Sequence, residues 1–139
     1  MDDEAQIRNL VKLMLRNLGY HSTCTRDGAE TIQQYEAAME AGEKFDLVIL
    51  DLTIPGGMGG EETIKKLRQI DPWVISIVAS GYSESPVMAE YRDYGFCGRL
   101  TKPFDIKKMS EVLAEVISPA RCGSPSTENG SSPNSPSTS

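Results

Sequence analysis

Apolar residues recur along this chain at two spacings, and the alternation between them divides it into elements. Ile7, Leu10, Val11, Met14, Leu15 and Leu18 fall at steps of three and four. That period places them on one face of a helix, and Gly19 marks its end. Residues 20–25, Tyr-His-Ser-Thr-Cys-Thr, predict a short, rather polar strand. A helix follows from about Ala29 to Ala41. Leu47 to Leu50 then form an unbroken apolar run, which suits a strand covered on both faces. A third helix is predicted from Gly60 to Gln69, with Asp71-Pro72 as its break. Residues 73–80 give the next strand, 84–94 a weaker helix, and 98–101 a short strand. Ile106, Met109, Leu113, Val116 and Ile117 stripe a last helix.

Helices alternating with strands predict an α/β domain with a parallel sheet. In such sheets the functional crevice lies off the carboxyl ends of the strands. Asp51 stands at the end of the 47–50 run, with a loop rich in Pro and Gly behind it. Ser80 and Gly81 end the 73–80 strand. Lys102 and Pro103 follow the 98–101 strand, and Asp2 and Asp3 directly precede the first helix. Three carboxylates brought to one edge repel each other unless a proton or a cation intervenes. An all-oxygen set with few protein donors suits Mg²⁺. Asp51 would then be a carboxylate nucleophile toward a phosphoryl group. Ser80 would donate a hydrogen bond to it, and Lys102 would neutralise remaining charge.

Composition narrows the alternatives. Of 139 residues 39% are apolar, enough for one ordinary core. A net charge of −6 and no Lys/Arg run longer than two argue against a nucleic-acid surface. No window approaches the ~18–20 apolar residues of a membrane span. The acidic start Met-Asp-Asp-Glu is unlike a signal peptide. Cys24, Cys97 and Cys122 have no paired spacing and suggest three reduced thiols. With His21 the single histidine, a histidine-based triad or metal cluster is excluded. From Pro119 onward, Ser, Pro, Thr, Gly and Asn dominate, so 119–139 is expected to be a disordered tail. The glycine cluster 56–60 fits neither nucleotide-loop spacing. The Asp-x-Asp pair of haloacid-type phosphatases is missing, since Thr53 stands two after Asp51.

Asp2-Asp3-Glu4, Leu50-Asp51-Leu52 with Pro55-Gly56 and Gly59, Ala79-Ser80-Gly81, and Leu100-Thr101-Lys102-Pro103-Phe104 occur in that order. Together they resemble the receiver domain of two-component response regulators over residues 1–118. The wording is most similar to receivers of hybrid sensor histidine kinases. The resemblance implies a flavodoxin-like, doubly wound parallel sheet of order 2-1-3-4-5 flanked by five helices. It implies Asp51 as phosphoacceptor and Ser80 and Lys102 as the phosphate-sensing pair. It also implies Asp3, Asp51 and the Thr53 backbone carbonyl as Mg²⁺ ligands, with Asp2 acting mostly through water. The Lys102–Pro103 bond is implied to be cis. The partner implied is a histidine kinase or a histidine phosphotransfer protein, in the cytoplasm, with no turnover of a metabolite. The competing class is a phosphorylation-independent pseudo-receiver that serves as a protein-interaction module.

Two departures from the pattern stand out. No apolar strand precedes the acidic pair, so the first, central strand of the fold is missing from this chain. A start inside a longer hybrid protein, a truncated fragment, or a strand supplied by another chain would each account for it, the last favouring a homodimer. Second, where the family often has an aromatic residue three before the lysine, this chain has Arg99. Either the usual coupling is altered or Arg99 is an exposed residue without a role.

Overall fold

The computed structural model describes residues 1–82 and 84–117, so the expected tail 119–139 lies outside the described residues. Five α-helices and three strands follow in order. They are α1 (Ala5–Asn17), α2 (Gly28–Glu40), β1 (Val48–Asp51), α3 (Gly60–Ile70), β2 (Ser76–Ser80), α4 (Pro86–Ala89), β3 (Gly98–Thr101) and α5 (Ile106–Ile117). A 3-10 helix, Tyr91–Tyr94, separates α4 from β3.

The strands form one parallel sheet of order β1-β2-β3. Leu50 lies opposite Val78, and Ala79 opposite Leu100. Every residue of β2 is buried, as a central strand with both faces covered requires. Its side chains alternate between two cores. Ile77 and Ala79 join Met14, Leu15, Leu100, Met109 and Leu113 beneath α1 and α5. Val78 joins Tyr35, Leu50, Ile64, Leu67 and Met88 beneath α2, α3 and α4. Helices therefore cover both faces of the parallel sheet that the alternation predicted, and the doubly wound flavodoxin-like architecture implied by the resemblance is present.

Two elements differ from the sequence reading. Residues 20–25 form no strand. In the order 2-1-3-4-5 that segment can pair only with the first strand. Among the described residues no strand lies beside it, and the Asp2 amide on the Thr25 carbonyl is a single bond rather than a ladder. The predicted helix over 84–94 divides into α4 and the 3-10 helix at Glu90, whose φ/ψ of −124°/49° leaves the helical region. Ser85 caps the start, its Oγ accepting from the Met88 amide at 3.2 Å with Pro86 behind it. Gly95, at φ 99°, closes the segment in the left-handed region that favours glycine.

A buried polar knot ties the far end of the sheet. Tyr35 Oη donates to Asp71 Oδ2 at 2.6 Å, Lys44 Nζ reaches the same oxygen at 2.7 Å, and the Trp73 amide donates to Oδ1 at 3.0 Å. Burial alone would raise the Asp71 pKa, but the bonds from Lys44 and Tyr35 outweigh it and hold it low. Asp71 thus ends α3 and anchors α2 to the entry of β2. Cys24 is free and exposed. Cys97 is buried and disulfide-bonded, against the expectation of three reduced thiols, and Cys122 lies outside the described residues.

Candidate functional site

The carboxyl ends of β1, β2 and β3 carry Asp51, Ser80 and Lys102 to one edge of the sheet. The chain turns directly after Asp51, the last residue of β1. Gly59 and Gly60 bring the return of the loop against the strand end. A Cβ on Gly59 would run into the Leu52 carbonyl oxygen, and one on Gly60 would crowd that of Asp51. Directly after β3, the Lys102 amide donates to the Ser80 carbonyl at 2.8 Å, which sets Lys102 beside β2. The Lys102–Pro103 bond is cis, as the resemblance implied.

Asp2 completes the cluster from the start of the chain. Its amide donates to the Thr25 carbonyl at 3.0 Å, and its Oδ1 accepts from the Glu4 amide at 3.0 Å. Arg8 donates to its backbone carbonyl at 2.9 Å. Lys102 Nζ stands between two acids, 2.9 Å from Asp2 Oδ2 and 3.2 Å from Asp51 Oδ2. Asp2 and Asp51 are buried, while Asp3 is exposed. Oxygens of Asp2, Asp3 and Asp51 nevertheless come within 4.8 Å of one another. The acidic pair is therefore more than charge at a helix start: Asp2 is engaged across the sheet.

Electrostatics follow from this packing. Burial and the neighbouring Asp2 raise the Asp51 pKa, opposed by Lys102 and by a backbone bond from Thr53. Burial disfavours charge on Lys102, but Asp2 and Asp51 outweigh it and its pKa is raised. Ser80 is buried, and its Oγ accepts from the Tyr82 amide at 3.0 Å, which leaves its own O–H to donate. Lys102 pairs with Asp2 and Asp51 but not with Asp3, and three carboxylate oxygens gathered this closely favour a cation. Hard oxygen donors at that spacing fit Mg²⁺.

Of the six site residues expected from the sequence, Asp2, Asp3, Asp51, Ser80 and Lys102 converge. Thr53 lies two residues beyond Asp51, on the exposed loop. Sequence reasoning missed that Asp2, rather than Asp3, is the buried ion-pair partner of Lys102, and nothing in two adjacent aspartates distinguishes them. It also left Arg99 open. The guanidinium donates to the Met88 carbonyl at 2.8 Å and stands 5.6 Å from the Tyr91 ring centroid. Arg99 is exposed but bonded, so it links β3 to α4 and the 3-10 helix.

A five-helix, doubly wound parallel domain with an acidic cluster, a hydroxyl and a lysine at its strand ends defines a receiver-type signalling module. Residues 1–114 match the family described as response regulator receiver domain, and the chain belongs to that family. It is similar to sporulation initiation phosphotransferase F of Bacillus subtilis, at 28% identity over 84% of this chain and 90% of that protein. It is also 31% identical to the transcriptional regulatory protein YkoG of Bacillus subtilis over 93% of this chain. It spans about half, 53%, of that longer relative. Among solved structures it is similar to chemotaxis protein CheY4 of Vibrio cholerae, with 27% identity and a TM-score of 0.72 over 83% of this chain and 92% of that one. No helix among the described residues is long and apolar enough to cross a membrane.

Proposed function

We propose that the chain is a phosphorylatable receiver that accepts a phosphoryl group from a phosphohistidine onto Asp51. The observation that carries this reading is the Lys102 ammonium set between two buried carboxylates at the end of the sheet, with a buried hydroxyl beside it. In the transfer, the P–N bond to the imidazole breaks and a P–O bond to an Asp51 carboxylate oxygen forms. Lys102 offsets charge on the arriving group, and Ser80 donates its O–H to a phosphoryl oxygen. Receiver domains bind Mg²⁺ as a class, and Asp51, Asp2, Asp3 and the Thr53 carbonyl are the groups that would hold it here. Bound there, Mg²⁺ supplies charge neutralisation for the phosphoryl oxygens.

The partner is a histidine kinase or a histidine phosphotransfer protein in the cytoplasm, and similarity of wording favours a hybrid-kinase setting. The output is a change in surface around α4 and β3. When Ser80 turns toward a phosphoryl oxygen, its bond from Tyr82 is lost, and α4 begins only a few residues further on. Arg99 ties α4 to β3 and so resists that movement.

Incubation with acetyl phosphate and Mg²⁺, read by intact mass, tests the proposal. One added phosphoryl group is expected, absent without Mg²⁺ and absent in Asp51→Asn. A folded protein that gains no mass would sink the phosphoacceptor reading and favour the interaction-only pseudo-receiver. Mass is preferred to Trp73 fluorescence because Trp73 precedes β2 at the end opposite Ser80.

A further inference from the structure

The amino end of the sheet, opposite the acidic cluster, carries a buried cysteine that the phosphoacceptor reading does not use. Cys97 stands immediately before β3, and its amide donates to the Ser76 carbonyl at 2.7 Å. It is 7% exposed and lies in the core beneath α1 and α5 with Val112, Leu113 and Val116. α5 runs back along the sheet to this end. A Cβ on Gly98 would stand 2.7 Å from a Val116 methyl and 3.3 Å from one of Val112. The last turns of α5 and the start of β3 therefore share one packed corner.

Cys97 is disulfide-bonded, while Cys24 is free and exposed. The sequence holds one further cysteine, Cys122, five residues past Ile117, the last residue of α5. Five extended residues reach at most about 17 Å. That is enough to return to Cys97, because Val116 already stands beside Gly98. Burial also shields Cys97 from a thiol on a second molecule. In the cytoplasm proposed above thiols are kept reduced, and a disulfide that forms there is transient or redox-sensing.

We propose that Cys97 and Cys122 form a redox-switched disulfide that clamps the end of α5 to the start of β3. The oxidant is a small disulfide of the glutathione class. The Cys122 thiolate attacks it, forming a mixed disulfide and releasing one glutathione thiol. The Cys97 thiolate then attacks the Cys122 sulfur, which closes the protein disulfide and releases the second. The two protein thiols lose two protons and two electrons, and glutathione disulfide leaves as two thiols. Closure places β3 and α5 inside one covalent loop and restricts the unfolded chain. It also holds the last turn of α5 against the core that Cys97 shares with Val116. Reduction releases that turn. The linkage does not depend on the phosphoacceptor reading, because it lies at the opposite end of the sheet from Asp51.

The test equilibrates the 139-residue chain in glutathione buffers ranging from all thiol to all disulfide. Remaining thiols are then blocked with N-ethylmaleimide in denaturant, and the chain is digested with trypsin. Cleavage after Arg92, Arg99 and Arg121 releases residues 93–99 and 122–139 as separate peptides unless a disulfide joins them. The joined pair is expected to rise from under about a tenth of the protein in all-thiol buffer to over about nine-tenths in all-disulfide buffer. Hydrogen exchange at Val112 to Val116 should be about tenfold slower in the joined form. Cys122→Ser should abolish both the pair and the redox dependence of exchange, and Cys24→Ser should leave both unchanged. Recovery of Cys97 blocked by maleimide across the whole range overturns the proposal. So does Cys97 joined to Cys24, or a disulfide-linked dimer by intact mass. A pair that stays joined in all-thiol buffer is a permanent brace and overturns the switch. Equal exchange in the two forms overturns the clamp. None of these readouts requires phosphorylation, so a negative result leaves the Asp51 reading untouched.

Discussion

Replacing Lys102 by Met should destabilise the chain strongly in the absence of divalent cations and much less in their presence. Met keeps most of the stem volume and removes the charge. The Lys102 side chain is 21% exposed, and its partners Asp2 and Asp51 are 10% and 8% exposed. Removing one member of a buried ion pair costs about 3–5 kcal/mol, because the partner charge stays buried. Two partners are stranded here, and their carboxylates lie within 4.8 Å. At an effective dielectric near 20, their repulsion alone amounts to roughly 3 kcal/mol. Water reaching the partly exposed ammonium position lowers the sum, and a loss of about 3 kcal/mol is expected. That is a large share of the ~5–15 kcal/mol that holds an ordinary domain. A Mg²⁺ concentration about 100-fold above its dissociation constant adds about 2.7 kcal/mol to the native state, so it should restore most of the loss. Urea unfolding followed by circular dichroism, with and without Mg²⁺, gives both numbers. A variant within about 0.5 kcal/mol of the parent without Mg²⁺ would refute the reasoning, since that is the scatter of a surface substitution.

Other outcomes follow from the same contacts. Asp51→Asn should raise the urea midpoint at neutral pH. Burial and Asp2 raise the Asp51 pKa, so stability is lost as pH rises through that pKa, and the advantage of Asn should vanish at acid pH. Asp71 behaves oppositely. Its folded pKa lies below the ordinary 3.8, so its contribution is present above that value and lost as pH falls through the folded pKa. Asp71→Asn should therefore cost about 1–3 kcal/mol at pH 7, measured by urea unfolding, and the difference from the parent should shrink as the solution is acidified. Arg99→Ala removes the bond to the Met88 carbonyl and should cost about 0.5–1 kcal/mol. Hydrogen exchange should accelerate at the amides of Ala89 and Glu90, which bond back to Ser85 and Pro86 within α4, more than in β2.

The sequence alone determined what depends on local order. Helical spacing marked α1 and α5, and an unbroken apolar run marked β1 as a strand covered on both faces. The convergence of Asp51, Ser80 and Lys102 was legible because each stands where a predicted strand ends, and parallel strands put such ends on one edge. Tertiary structure decided the rest, because it depends on which neighbour is present. Residues 20–25 read as a short, rather polar strand but have no ladder partner among the described residues, and a strand is not stable by itself. Asp2 and Asp3 are chemically alike, and only the reach from β3 makes Asp2 the partner of Lys102. Arg99 was ambiguous because an exposed arginine acquires a role only from a carbonyl and a ring presented by distant residues.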